Sequence, residues 1–444
     1  MCPDDTSLKE LKSARRLLLD QLQSVDSASA LLSLQLELAD AIMRAEAEIA
    51  KGASNSLELH DHIQRLRKLA DGGVWMILHP HAIRQLAKNE PQAPSLIGQG
   101  DGFANVLDYA RQLFDKTKLP ILICDITNVL SIGDLLLVND LEEPMIVECK
   151  SRVPDTQHLM QGRTGRQLSR ALRTVRYMAG ETINVYGENY TRGVIETDHE
   201  ATRHWAEVEE ACATAVIEGM AFRLLSAGNW LWAAKPEFQD TMLDAALETI
   251  KEEEGLLQFG LLAAARKDLY PPPCVWPIET ELRHQLSEGD LLIFRIFDLN
   301  SLASQNEEGI RIEVRNAENP IVVTIGGEEL AMSPRFVNDA VYGFETVESV
   351  RKSVQLFARQ AADFSLDPNL KANQSKPAVH SVVDVETLRA LVGDASVSDD
   401  DIVAFPAHLL AGNLIGRVIV GSASGEALGL VRLEELRKLP RSPV

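Results

Sequence analysis

Two acids and a lysine are spaced in a way that suits chemistry. Asp134 follows Gly133, and thirteen residues separate it from Glu148-Cys149-Lys150. Residues 133–138 and 144–150 read as apolar strands, and residues 139–143 between them read as a turn. Strands joined by so short a turn pair antiparallel, which sets the start of the first beside the end of the second. Side chains alternate along a strand, so Glu148 and Lys150 share one face while Cys149 points away. Two carboxylates and an ammonium can thereby meet at one end of a hairpin. A hard cation such as Mg²⁺ takes a few carboxylate oxygens, keeps several waters and accepts a phosphate oxygen. It would stabilise charge on the phosphate and help generate a hydroxide nucleophile. A neighbouring lysine stabilises the charge that develops. The chemistry this set fits is metal-assisted phosphodiester hydrolysis. The structural alternative is a solvated hairpin carrying surface ion pairs. Against it, the apolar pair Ile146-Val147 runs directly into Glu148.

The elements that must position these residues are legible on both sides. Phe103, Val106, Leu107, Ala110, Leu113 and Phe114 recur at helical spacing, which predicts an amphipathic helix stopped before Pro120. Residues 121–126 read as a strand, and a long helix is expected over about 157–179. This order of helix, three strands and helix, with Gly133-Asp134 and Glu148-Cys149-Lys150, resembles the PD-(D/E)XK nuclease superfamily, which includes restriction enzymes and Holliday junction resolvases. The resemblance covers about residues 100–235. It implies that Asp134 and Glu148 bind a divalent metal, Mg²⁺ or Mn²⁺, with the Cys149 backbone carbonyl completing the shell. It implies that Lys150 assists catalysis and that Gln167 or Gln161 matches a glutamine on the following helix. Two departures stand out. Gly133 replaces the common proline, and residues 103–117 lack the usual helix-one glutamate, holding only Asp108 and Asp115.

The expected long helix also bears on substrate. Leu168, Ala171, Leu172, Val175 and Met178 form its apolar face, and Arg163, Arg166, Arg170 and Arg173 project from the opposite one. Residues 151–180 hold six arginines and one acid, Asp155. Arginine forks suit phosphates. The alternative is a solvated face, although such faces usually mix signs.

Elsewhere the signals are weaker. His60-Asp61-His62 and His79-Pro80-His81 stand in no metal-ligand frame. Gly289-Asp290 with Glu313-Val314-Arg315 echoes the first motif, but an arginine does not replace its lysine chemically. Neither a Walker-type phosphate loop nor a Gly-x-Ser-x-Gly elbow occurs, which disfavours ATP hydrolysis and serine-hydrolase chemistry.

The 444 residues carry a net charge of −21, which taken alone argues against a nucleic-acid partner. The charge is unevenly placed: residues 101–180 are neutral, and residues 181–444 hold 23 basic against 42 acidic side chains. Five cysteines, widely spaced, argue against a disulfide framework or a cysteine zinc site. With no signal-like N-terminus and no long apolar run, a cytoplasmic protein without membrane partners is expected. Apolar residues from Leu11 to Met43 recur near three-four spacing. They predict either a long coiled-coil arm or, broken near Ser27–Ser29, a helical hairpin.

The expected architecture is α/β: a restriction-endonuclease-like mixed sheet flanked by helices, with an N-terminal helical region and additional C-terminal α+β domains. The boundaries read are 1–95 for the helical region and 96–235 for the nuclease-like core. An acidic helical segment follows at 236–270, then a strand-rich α+β domain at 271–366 and a small α/β unit at 377–444. The expected function is Mg²⁺-dependent cleavage of DNA, with RNA as the other candidate, in a setting such as bacterial defence or DNA repair. The protein is expected to act as a homo-oligomer, or with a partner chain, through its N-terminal helices. The rival reading is a noncatalytic nuclease-like scaffold in an assembly.

Overall fold

A computed structural model describes residues 3–78, 83, 86, 93–130, 133–138, 144–150, 183–184, 191–192, 199–251, 257–261, 270–305, 309–315, 320–332, 334–366, 418–422 and 427–429. The chain is a mixture of helix and sheet, divided into two units. One comprises residues 1–194 with 373–444, the other residues 195–372.

The first unit opens with three helices, α1 (Pro3–Gln23), α2 (Ala28–Ala50) and α3 (Ser56–Ile77). The hairpin alternative is the one observed. The chain breaks between α1 and α2, and the Ser27 hydroxyl caps α2 by accepting from the Ala30 amide at 3.2 Å. Leu18, Leu22, Leu31, Leu38 and Ile42 are buried within this unit, so the leucine seam no longer argues for a partner helix. Helix α3 runs through Gly72-Gly73 without a break. A Cβ at Gly73 would lie 3.2 Å from Leu31 Cδ1, so the glycine lets α2 and α3 approach closely.

Helix α4 (Asp101–Thr117) leads to β1 (Ile121–Ile123), β2 (Leu135–Val138) and β3 (Pro144–Lys150). These three strands pair antiparallel in sequence order. Strand β14 (Val418–Ser422) lies parallel on the far side of β3, and β15 (Ala427–Gly429) pairs antiparallel with β14. A separate two-stranded ladder joins β4 (Ile183–Asn184) and β5 (Thr191–Arg192). Leu31 and Val74 from the helices share one core with Leu122, Leu136 and Ile146 from the sheet. The N-terminal helices are therefore one layer of the sheet's own unit.

The second unit holds a sheet in the order β6 (Met220–Ser226), β7 (Asn229–Ala234), β9 (Leu292–Asp298), β8 (Leu257–Leu261). A second sheet is a meander of β10 (Ser304–Gln305), β11 (Arg311–Val314), β12 (Ile321–Ile325) and β13 (Glu328–Met332). Helices α5 (Trp205–Glu218), α6 (Gln239–Lys251), α7 (Thr280–Glu288), α8 (Pro334–Tyr342) and α9 (Val347–Leu366) complete it. Three sequence boundaries are corrected here. The boundary at 235 falls within a continuous sheet, because β7 pairs with β9. The acidic helical segment ends at Lys251, and Leu257–Leu261 is a strand on β9. Strands β14 and β15 join the first unit's sheet, so the tail is no free-standing α/β unit. In each case a long-range strand partner, invisible to local periodicity, decided the outcome.

Candidate active site at the end of the β2–β3 ladder

Gly133 and Asp134 enter β2 through a break in the ladder. Leu135 stands opposite Val147, yet the Asp134 amide also donates to the Val147 carbonyl, at 2.9 Å. Two consecutive residues thus face one, as in a bulge, which re-aims the side chain there. Gly133 makes the bend possible. Its φ is +76°, and a Cβ would lie 2.6 Å from Ile146 Cγ2 and 3.0 Å from the Val147 carbonyl. Proline, fixed near −65°, cannot take that conformation, so glycine in place of the resemblance's common proline has a local cause.

The bend turns the Asp134 carboxylate onto the end of β3. Its Oδ2 accepts from the Cys149 amide at 2.5 Å. In a strand, one residue's N–H and C=O leave on the same side. The Cys149 carbonyl therefore also faces the Asp134 side. Strand β3 continues unbroken through Glu148 and Lys150; the side chains of these two residues lie outside the described residues. Among the described residues, which leave out the Glu148 carboxylate, no group of three His, Cys, Asp or Glu side chains is placed to hold a metal. The donors that are described, one half-exposed carboxylate and one carbonyl on the same side, are the hard oxygens Mg²⁺ prefers.

Three buried polar side chains on the helical layer fix the backbone leading to Asp134. Gln35 lies against the outer edge of β1, accepting from the Ile123 amide at 2.8 Å and donating to the Ile121 carbonyl at 2.7 Å. This amide replaces a neighbouring strand and closes the edge. Asp71, with no exposed surface, accepts from the Asn128 and Val129 amides at 2.7 and 3.1 Å. Arg67 donates to the carbonyls of Asp125 at 2.6 Å and Pro94 at 2.8 Å. Sequence reading passed over all three. Gln35 interrupts the Leu31, Leu38, Ile42 stripe, and a polar residue inside an apolar face was the available signal. Tyr109 on α4 was also passed over. Burial and the nearby Cys149 thiol push its hydroxyl up to about 12.

The other sequence candidates fall either outside the described residues or elsewhere in the fold. Gln167, Gln161, Arg163, Arg166, Arg170 and Arg173 lie outside the described residues, as do His79 and His81. His60 Nδ1 bonds the Ser56 carbonyl oxygen at 2.6 Å. His62 accepts from Arg15 Nη1 at 2.8 Å, both buried. Gly289 is the left-handed cap of α7, and Asp290 leads into β9. Glu313 lies on β11 and Arg315 just beyond it, in a different sheet, and Arg315 pairs with Glu313 and Glu329 at the surface. The echo of the first motif is thus two unrelated pieces of backbone.

No family model, curated protein or solved structure matches this chain. Among the described residues, no helix is long and apolar enough to cross a membrane.

Proposed function

We propose that the protein is a Mg²⁺- or Mn²⁺-dependent nuclease acting on DNA, with the site at the end of β2 and β3. The observation that carries this reading is the Asp134 carboxylate turned across the ladder onto Cys149, between Glu148 and Lys150. Asp134, Glu148 and the Cys149 carbonyl would hold the cation. When bound, it would neutralise charge on the scissile phosphate and lower the pKa of the attacking water. The bulge at Asp134 orients that carboxylate before any ligand arrives, which cuts the ordering cost of binding. Lys150 supplies positive charge beside the phosphate as it gains negative charge. RNA is the other candidate substrate, and the restriction-endonuclease-like core belongs to this proposal. So do the Gln167 role, the arginine contacts to phosphate and an oligomeric or partnered state.

A second reading has its own support. The same 2.5 Å bond makes Asp134 a cap for the end of β3, which is the role a carboxylate would have in a noncatalytic scaffold. Calorimetric titration of Mn²⁺ separates the two. The nuclease reading expects saturable binding that Asp134→Asn weakens at least about tenfold, since asparagine keeps the acceptor for Cys149 and removes only the charge. Absence of binding to wild type would leave the scaffold.

A further inference from the structure

We propose that β14, reached some 270 residues beyond the motif, is the positioning element of this site, holding the peptide groups of Glu148 and Lys150. For what the site does, the proposal rests on the nuclease reading; for what holds it, on backbone register.

The argument starts from which way β3 points its polar groups. The Val147 carbonyl and the Cys149 amide both face the β2 side, where they meet the Asp134 amide and carboxylate. Backbone polar groups alternate sides along a strand. Residues 146, 148 and 150 therefore present their N–H and C=O groups to the opposite side. Strand β14 occupies that side in parallel register, with Val418 beside Ile146, Val420 beside Glu148 and Ser422 beside Lys150. Without it, β3 would be an edge strand whose functional end carried unpaired amides and carbonyls. Such ends open locally at little cost in free energy, and a site needs its groups held to within about 0.5 Å. The parallel register has a second consequence. The carboxyl ends of β3 and β14 emerge at one edge of the sheet, the edge at which open α/β sheets bind ligands.

The organisation of the chain supports this. Residues 373–444 belong with 1–194, and the unit 195–372 interrupts them in sequence. That intervening unit is closed on itself. Arg203 bridges Glu345, the Thr346 amide donates to the Thr202 carbonyl at 2.9 Å, and the His204 amide donates to the Phe344 carbonyl at 2.9 Å. These contacts tie the unit's first residues to the stretch that enters α9, and a unit with its own sheets and internal ties is of the kind that can be inserted into another domain. On this view residues 195–372 are an insertion, and β14 resumes the fold that it interrupts.

The test uses the full-length chain with Ile419→Pro, which cannot stand in an interior strand, and Ile419→Val, which can. In wild type, the Glu148 and Lys150 amides are expected to be strongly protected from hydrogen exchange. Ile419→Pro should lower their protection by about a hundredfold or more, while the Leu136 amide stays protected as a control for global unfolding. Cleavage of DNA with Mg²⁺ should lose kcat in Ile419→Pro with KM little changed, and Ile419→Val should restore it. Rapid exchange of both amides in wild type would overturn the proposal. So would an Ile419→Pro chain with unchanged protection and unchanged kcat. Protection that follows β14, in a wild-type chain that cleaves nothing, supports the positioning by β14 and refutes the nuclease reading instead.

Discussion

Gly133 shows how one residue prepares the site. Its positive φ and the close approach of Ile146 leave room only for hydrogen at Cα, and the bend it allows aims Asp134 at Cys149. Gly133→Ala should cost about 2–4 kcal/mol, combining left-handed strain with the Ile146 clash. A lower urea midpoint at constant m would register this, and a wild-type midpoint would contradict it. His62 gives a prediction in pH. Burial, then the Arg15 charge, lowers its pKa from 6.5 to about 4, against a smaller opposing effect of Asp61. The folded form thus binds its proton less readily than the unfolded form. The stability it protects is complete above about pH 6.5 and is lost as pH falls toward 4, the loss amounting to roughly 2–4 kcal/mol. Thermal melts across pH 4–7 should show a steeper decline for wild type than for His62→Gln; equal slopes would remove His62 as the cause.

At the scale of elements, the helical layer is what stiffens the sheet. Gln35→Leu leaves the Ile121 carbonyl and Ile123 amide buried without the amide that joins them, at about 2–4 kcal/mol for the pair. Faster exchange of the Ile123 amide, with α2 still helical, is the expected signature; an unaltered rate would mean that the edge is closed by something else. The arginine-bearing segment offers a separate test. Reversing Arg163, Arg166 and Arg170 to Glu should weaken DNA binding and flatten its dependence on salt, by about 0.9 in logarithmic slope per lost phosphate contact. An unchanged slope would return the stripe to a solvated face. Local pattern made much of this scale legible: α4, the three strands and the α1–α2 hairpin all follow apolar spacing and breakers. What escaped was the use of single polar residues inside apolar faces. Gln35, Arg67 and Asp71 each bond backbone far away in sequence, and nothing in their neighbours announces such partners.

At the scale of the whole molecule, the strand pairing around Asp134 was legible and the architecture supporting it was not. Strands β2 and β3 pair antiparallel as the hairpin argument requires, which sets Asp134 beside the end of β3. The domain boundaries depended instead on the pairing of β7 with β9 and of β3 with β14, across about 60 and 270 residues. The acidity of residues 181–444 disfavours unspecific attraction of DNA. The central claim is that this ladder end cleaves phosphodiesters with a divalent cation. Its most direct test is cleavage of linear and supercoiled DNA by the purified full-length chain in Mg²⁺, beside Asp134→Asn and an EDTA control. The expected result is cleavage that EDTA abolishes and that Asp134→Asn reduces by about a hundredfold or more, with the variant's thermal midpoint close to wild type. Cleavage by Asp134→Asn at the wild-type rate, or a folded wild-type protein that cuts neither substrate with Mg²⁺ or Mn²⁺, would contradict the claim.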